Sequence, residues 1–184
     1  KAAGITDIMV NCAWLAEQIV EFLDHGKPWG LTIETSIEHD GALETAGGII
    51  NVLDYFDDTP FWVLSSDIYS DVDLTKIKSL DEGKLAHLLL VKNPQHNLSG
   101  DFHIEQSGIL QSEGPNKFTF ASMGLYKKQL FHGLAKGKRP LAPILRDAMN
   151  SGSIEGSIID GNWTDVGTVE RLEMLEQQLK KKAK

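Results

Sequence analysis

The sequence is poor in several groups on which common classes of protein depend. Cys12 is the only cysteine among 184 residues, which excludes an intrachain disulfide framework and a zinc site built from cysteines. No apolar run approaches the ~20 residues that span a bilayer, and no signal-peptide pattern opens the chain. We therefore expect a soluble protein of a reducing compartment, the cytoplasm.

Positive charge is also scarce, with 18 Lys+Arg against 26 Asp+Glu and a formal net charge of −8. That balance argues against binding to nucleic acid or to an anionic membrane. The hydrophobic fraction of 41% and the charged fraction of 24% are typical of a globular domain. We predict a single domain over residues 1–184, large enough for a sizeable core and too short for an added oligomerisation domain, hence a monomer.

Familiar catalytic motifs are absent as well. The six histidines show no His-x-x-x-His or His-Glu-x-x-His spacing, so zinc catalysis has no support. The chain contains no Gly-x-Ser-x-Gly elbow and no Gly-Lys-Ser/Thr of a P-loop. Cys12 lies between a predicted strand and a predicted helix, and we expect a small buried packing group rather than a nucleophile.

Strand-like and helix-like segments alternate along the chain, which predicts an α/β fold with a mostly parallel sheet. Two continuously apolar runs, 61–64 and 85–91, are typical of buried parallel strands. A further strand is predicted at 29–33, and strands separated by turn residues at 100–104, 108–111 and 118–126 predict an antiparallel portion. Helices are predicted at 13–23 with Asn11 as N-cap, at 141–149, and at 169–179 with Thr168 as N-cap.

Two carboxylates lie where an α/β sheet places its ligands. Asp67 follows a buried strand, and Asp165 lies in a Gly-Thr loop before the last helix. Ligands of such sheets bind outside the carboxyl ends of the strands, and Mg²⁺ prefers one or two carboxylates plus waters and phosphates. Taken alone, each aspartate is more often a turn or helix-cap residue than a metal ligand. A second acidic pair, Asp71 and Asp73, has the Asp-x-Asp spacing of metal-dependent glycosyltransferases.

The segment Leu43–Gly48 is a glycine-bearing entry to a predicted helix. Small residues there allow backbone N–H groups to approach an anion or the edge of a base, and a helix N-terminus adds partial positive charge. As a bare pattern the segment is weak evidence, because it matches neither Gly-x-Gly-x-x-Gly nor a P-loop.

Three stretches taken together resemble the sugar-1-phosphate nucleotidyltransferase family: residues 43–48 (LETAGG), 61–67 (FWVLSSD) and 163–168 (WTDVGT). Further matches lie at 8–15, at 91–94 with 100–102, and at 141–146. The resemblance covers essentially the whole chain, and its order and spacing are far more specific than any single motif. It implies a Rossmann-like nucleotidyltransferase fold, with a mixed, mostly parallel sheet between helices and a small antiparallel sugar-binding portion.

The resemblance also implies an activity and a set of site residues. The reaction would be NTP + sugar-1-phosphate → NDP-sugar + pyrophosphate, with UTP and N-acetylmuramate 1-phosphate of bacterial peptidoglycan recycling as expected substrates. Asp67 and Asp165 would hold Mg²⁺. The nucleotide would be bound by Glu44, Thr45, Ala46, Gly47 and Gly48, and the sugar by Asn93, Gly100 and Asp101. The base stays open, because relatives that use uridine and guanosine nucleotides share similar loops.

The sequence departs from the family pattern in two places. Ser65-Ser66 stands where family members usually carry Asn-Gly or a similar pair before the metal aspartate. The family's glycine-rich signature loop, with its Arg and Lys, would precede Lys1, as would the first strand. We therefore expect an N-terminally incomplete domain with no assignable catalytic residue and with little or no activity of the 184-residue chain alone.

Three other interpretations remain open at this point. One is an enzyme similar to mannose-1-phosphate guanylyltransferases. Another is a glycosyltransferase that uses Asp71 and Asp73. The third is a non-catalytic fragment that binds a nucleotide sugar.

Overall fold

The computed structural model describes residues 1–39, 41–77 and 79–182. Contacts divide the chain into two compact units, each described by itself below. The first comprises residues 1–59 and 127–147, and the second comprises residues 60–126 and 148–184. Among the described residues, no helix is both long enough and apolar enough to cross a membrane.

The first unit contains a two-stranded parallel sheet. Strands β1 (Asp7–Cys12) and β2 (Thr32–Ile37) pair from Asp7 opposite Thr32 to Cys12 opposite Ile37. Helix α1 (Ala16–Leu23) lies between them in the sequence, and helix α2 (Glu44–Asn51) follows β2. Short 3₁₀ turns occupy Asp24–Trp29, Leu53–Tyr55 and Lys128–Phe131.

Two boundaries in this unit differ from the sequence-based expectation. Asn11 lies inside β1 rather than at a helix N-terminus, so its predicted role as an N-cap is wrong. Helix α1 begins only at Ala16, because Leu15 has a left-handed φ of 52° that breaks the helical geometry before it. The predicted strand at 29–33 begins later, at Thr32, since Gly30 turns the chain with a φ of 61°.

The second unit is built on a larger, mixed sheet. The strands of this unit are β3 (Phe61–Leu64), β4 (Ile68–Ser70), β5 (Ala86–Val91), β6 (Phe102–Ile104), β7 (Leu110–Gln111), β8 (Lys117–Tyr126), β9 (Ile154–Ile158) and β10 (Trp163–Asp165). The strand order of the sheet is β7-β6-β8-β5-β9, and β3 also pairs with β8. Strand β8 is antiparallel to β3, β5 and β6, whereas β5 and β9 are parallel. A separate two-stranded ribbon joins β4 to β10.

The bounds of two further helices agree with the predicted bounds to within a few residues. Helix α3 spans Leu141–Asn150, and helix α4 spans Val169–Lys182. At the start of α4 the backbone N–H of Arg171 donates to Thr168 Oγ1 at 3.3 Å, which confirms Thr168 as the N-cap. The antiparallel portion over β6, β7 and β8 is also confirmed. The run 61–64 is a strand, but its pairing is antiparallel rather than parallel, because the ten-residue strand β8 is its partner.

One face of the mixed sheet carries an apolar cluster that determines where the loop after β3 lies. Its buried members are Leu89, Val91, Ala121 and Met123. Partly buried side chains pack against it from β3, from the segment after β3, from the residue after β9 and from β10, namely Trp62, Ile68, Val72, Leu74, Ile77, Ile159 and Trp163. Burial of these side chains holds both the start of β4 and strand β10 against the sheet.

Candidate functional site

The ribbon of β4 and β10 brings the two predicted metal ligands together within the second unit. Asp67 directly precedes β4, and Asp165 ends β10 opposite Ile68 in the antiparallel register. The backbone N–H of Val166 donates to the carbonyl oxygen of Asp67 at 2.8 Å. Trp163 anchors the ribbon by donating its indole N–H to the carbonyl oxygen of Ala121 at 3.0 Å. Backbone pairing therefore makes neighbours of two residues that are far apart in the sequence.

Gly167 keeps open the space between the two carboxylates. A Cβ at this position would lie 3.6 Å from Asp67 Oδ2 and 3.7 Å from Asp165 Oδ1. Both oxygens thus face one point beside the Gly167 backbone, and the missing side chain leaves that point free. Two carboxylate oxygens converging on an open space are a donor set of the kind that Mg²⁺ prefers.

Two cationic or ionisable side chains engage Asp165. Arg171 Nη2 lies 2.7 Å from Asp165 Oδ1, and His96 Nε2 lies 2.8 Å from Oδ2. The Asp165 side chain is only 16% exposed, so these contacts are less screened by solvent than a surface ion pair. Sequence reasoning missed both residues. The sequence carried one signal that Arg171 has a role in the site. Arg171 lies in the first turn of a helix, where the helix dipole disfavours positive charge.

The three predicted sugar-binding residues form the base of the loop that carries His96. Asn93 Nδ2 donates to the carbonyl oxygens of Leu98 and Lys117, each at 3.0 Å. Asp101 Oδ2 accepts from the backbone N–H of Phe120 at 2.8 Å. Gly100 has a φ of 64°, and a Cβ there would lie 2.7 Å from the Lys117 backbone. These residues hold the loop against β8, and their contact with a sugar stays a prediction.

The acidic pair of the glycosyltransferase interpretation serves local structure instead. Asp71 accepts from the backbone N–H of Asn162 at 2.7 Å and also from its side-chain amide. Those hydrogen bonds, that of the amide first, lower the pKa of Asp71. Asp73 caps the turn that follows it by accepting from the N–H of Thr75 at 3.0 Å. Asp71 thus joins its segment to the segment that precedes β10, whereas Asp73 is bound within its own turn.

The predicted nucleotide loop lies in the first unit, at the start of α2. The backbone of the loop is tied to a neighbouring segment, since Gly47 N–H donates to Arg139 O at 3.1 Å. Ala46, Gly47 and Gly48 are buried, whereas Glu44 is exposed and has a left-handed φ of 61°. A non-glycine residue in that conformation is strained, and such strain concentrates at functional sites.

Gly48 faces polar side chains of the same unit. A Cβ at Gly48 would lie 2.2 Å from Asn11 Nδ2 and 3.1 Å from Glu38 Oε1. The other oxygen of Glu38 accepts from the backbone N–H of Leu43 at 2.8 Å, which fixes the carboxylate beside the loop. An amide and a carboxylate therefore lie beside the glycine pair, the kind of polar groups that can recognise the edge of a base.

Similarity to known proteins identifies the family of the chain. Residues 1–182 match the nucleotidyl transferase family. Over 179 residues the chain is 41% identical to the N-acetylmuramate alpha-1-phosphate uridylyltransferase of Neisseria meningitidis serogroup B, and the match covers 94% of this chain and 78% of that protein. The chain belongs to the nucleotidyl transferase family. The predicted class of enzyme, a nucleotidyltransferase that forms an NDP-sugar, is thereby confirmed.

Solved structures confirm the fold of this nucleotidyltransferase. HddC from Yersinia pseudotuberculosis, in complex with GMP-PN, superposes with a TM-score of 0.77 at 17% identity, over 96% of this chain and 80% of that one. The inositol-1-phosphate CTP transferase from T. maritima superposes with a TM-score of 0.75 at 11% identity, over 96% of this chain and 76% of that one. The predicted class, an α/β Rossmann-like fold with a mixed sheet, is confirmed.

Enzymes of this family generally use divalent metal ions. Over residues 1–39, 41–77 and 79–182, no group of three or more His, Cys, Asp or Glu side chains is arranged to hold a metal ion. The two carboxylates beside Gly167, of Asp67 and Asp165, remain the predicted ligands, and their binding of a metal stays a prediction. This set fits Mg²⁺, which usually completes its octahedral shell with waters and substrate phosphates rather than with protein side chains.

Cys12 is a packing residue of this nucleotidyltransferase, as predicted. Its side chain is 1% exposed. Burial, and secondly the charge of Glu38, raise the pKa of the Cys12 thiol. A thiol of raised pKa carries little of the thiolate form that nucleophilic catalysis requires.

Proposed function

We propose that this nucleotidyltransferase joins UTP to N-acetylmuramate 1-phosphate, as expected for an enzyme of bacterial peptidoglycan recycling. Support for the substrates comes from the 41% identical relative, whose name specifies that sugar phosphate and uridylyl transfer. The observation that carries the proposal at the level of chemistry is the convergence of Asp67 and Asp165 on the open space beside Gly167.

Asp67 and Asp165 would hold the divalent cation, proposed here to be Mg²⁺. When bound, the cation would offset the negative charge of the phosphoryl oxygens. No covalent intermediate with the enzyme is required, because the sugar phosphate can attack the α-phosphorus of the nucleotide in line while pyrophosphate leaves. The formal charge of −8 means that local groups, rather than the overall field, must attract the two anionic substrates.

The remaining site residues divide between the two substrates. We assign the nucleotide to the segment Glu44–Gly48, where a strained Glu44 and the buried glycine pair are supporting features. We assign the sugar to Asn93, Gly100 and Asp101. The loop that these residues hold also carries His96, which contacts Asp165. In this assignment the loop that recognises the sugar is joined by its own hydrogen bond to a metal ligand.

The other proposals concern the setting of the enzyme. We propose that residues 1–184 belong to one nucleotidyltransferase domain, that the enzyme is a cytoplasmic monomer, and that it binds neither nucleic acid nor membranes. The net charge of −8 supports the last point, because it repels polyanions. The proposed substrates, a nucleoside triphosphate and a sugar phosphate, support the cytoplasm.

A pyrophosphate-release assay on the intact protein tests the proposed function. UTP, GTP and dTTP are each supplied with N-acetylmuramate 1-phosphate, mannose 1-phosphate or glucose 1-phosphate. We expect the highest kcat/KM for UTP with N-acetylmuramate 1-phosphate. Preference for GTP and mannose 1-phosphate would instead establish the guanylyltransferase alternative.

The same assay tests the metal ligands. We expect Asp67→Asn and Asp165→Asn each to lower kcat by at least about a hundredfold, as is common when a group that stabilises the transition state is lost. Asp147→Asn, at an exposed position of α3, is the matched control and should retain activity. Activity of both site variants near that of the control would refute the assignment.

A further inference from the structure

Arg171 forms an ion pair with Asp165 beside the space that the two carboxylates face. Its Nη2 is 2.7 Å from Asp165 Oδ1, the oxygen that faces Gly167. A Cβ on Gly167 would lie 3.1 Å from the same Nη2, 3.6 Å from Asp67 Oδ2 and 3.7 Å from Asp165 Oδ1. One guanidinium nitrogen and two carboxylate oxygens thus surround the same small space. In the structure the positive charge there belongs to Arg171.

The helix that carries Arg171 does not account for its presence. Arg171 lies in the first turn of α4, and its backbone N–H donates to the N-cap Thr168. The N-terminus of a helix has a partial positive charge, so an arginine there opposes the helix dipole. Within the described part of the chain, its Nε is buried and has no hydrogen-bond partner. The guanidinium is therefore held chiefly by its charge contact with Asp165 rather than by a saturated hydrogen-bond network.

We propose that Arg171 is an internal counter-ion of the metal site, and that a divalent cation enters by displacing the guanidinium from Asp165 Oδ1. The proposal rests on the assignment of Asp67 and Asp165 as metal ligands. Arg171 and the cation are both positive and both require the same oxygen, so each weakens the binding of the other. His96 holds the second oxygen, Oδ2, and keeps the carboxylate in place while Oδ1 changes partner. Arg171 is thus a positioning residue that sets the affinity for the metal.

A purely structural role for Arg171 predicts the opposite result. If the guanidinium served only to orient Asp165, its removal would leave the ligand loose and would weaken metal binding. If it competes with the cation, its removal leaves Oδ1 free and strengthens metal binding. The sign of the change in affinity therefore separates the two roles.

The experiment is a titration of the intact protein with Mn²⁺, followed by electron paramagnetic resonance in the absence of nucleotide and sugar. We expect Arg171→Gln to lower the dissociation constant of Mn²⁺ by about tenfold, because a full positive charge next to the site is removed. Arg171→Lys, which keeps the charge, should bind Mn²⁺ close to the wild type. Arg146→Gln, at an exposed position of α3, is the matched control for loss of an arginine and should change nothing.

Two results would overturn the proposal: unchanged or weaker Mn²⁺ binding by Arg171→Gln, or binding by Arg171→Lys as tight as that of Arg171→Gln. A thermal melt of each variant establishes that it is folded. If Arg171→Gln is not, Arg171→Met, which also removes the charge, takes its place with the same expected and overturning results. Failure of the metal assignment has a different signature. In that case Asp67→Asn would bind Mn²⁺ as the wild type does, whereas failure of the counter-ion role alone leaves Asp67→Asn defective.

Discussion

Replacing Gly167 with alanine fills the space between the two carboxylates with a single methyl group. That methyl would lie 3.6 Å from Asp67 Oδ2 and 3.7 Å from Asp165 Oδ1, in van der Waals contact with both. A cation bound to these oxygens at about 2.0–2.1 Å must share the same space with its water ligands. We expect the affinity for Mn²⁺ to fall at least about tenfold, which corresponds to ~1.4 kcal/mol. Turnover at a fixed, subsaturating metal concentration should fall in proportion.

The fold should tolerate this substitution. The φ of Gly167 lies outside the left-handed region, so alanine can adopt the same backbone conformation. The closest atom to the new methyl is Arg171 Nη2 at 3.1 Å, the end of a flexible side chain that can move by a few tenths of an ångström. Alanine at a compatible glycine position stabilises by roughly 0.4–1 kcal/mol through the unfolded chain, which offsets that movement. The free energy of unfolding should therefore change by less than about 1 kcal/mol.

The assay combines Mn²⁺ titration by electron paramagnetic resonance with urea unfolding of the same protein. The expected result is weaker metal binding at nearly unchanged stability. Wild-type affinity in Gly167→Ala would refute the reasoning, because it would mean that the cation does not use the space beside Gly167. A large loss of stability would show instead that the backbone at Gly167 is more constrained than its φ indicates.

Three further substitutions test other parts of the account. Leu88→Ala should lower the free energy of unfolding by about 2–5 kcal/mol in urea titrations, because Leu88 is fully buried in β5 and its truncation leaves a cavity. A smaller loss would contradict this packing. Asp71→Ala should destabilise the protein at pH 7 and destabilise it less at pH 3. Hydrogen bonds from Asn162 lower the pKa of Asp71 below 3.8, so their contribution to stability is present above that value and is lost as the pH falls through the lowered pKa. An equal loss of stability at both pH values would contradict this account. Gly48→Ala should raise the KM for the nucleotide at unchanged metal affinity, since its methyl would displace the Asn11 amide; an unchanged KM would remove Gly48 from the nucleotide site.

The sequence predicts some features of this fold well because their signals are local. The continuous apolar runs identify β3 and β5, and Thr168 marks the start of α4, where the backbone N–H of Arg171 donates to it. Pairing direction is not a local property. The run 61–64 reads as a buried parallel strand, yet its partner is the distant and antiparallel β8.

The candidate site shows the same division between local and long-range information. Resemblance to a family predicted the pairing of Asp67 with Asp165, which periodicity alone could not, because the ribbon of β4 and β10 forms across a long stretch of sequence. The contacts of His96 and Arg171 with Asp165 were not predicted. They depend on how a loop and a helix end are placed in three dimensions, and neither residue belongs to a recognisable short motif.

Diffraction from crystals of the intact protein soaked with Mn²⁺ and UTP tests the central claim most directly, because anomalous scattering locates the metal without reference to activity. The account predicts one anomalous peak at direct ligand distance from an oxygen of Asp67 and an oxygen of Asp165, beside Gly167. A peak that touches neither carboxylate, or two peaks that each touch only one, would contradict it.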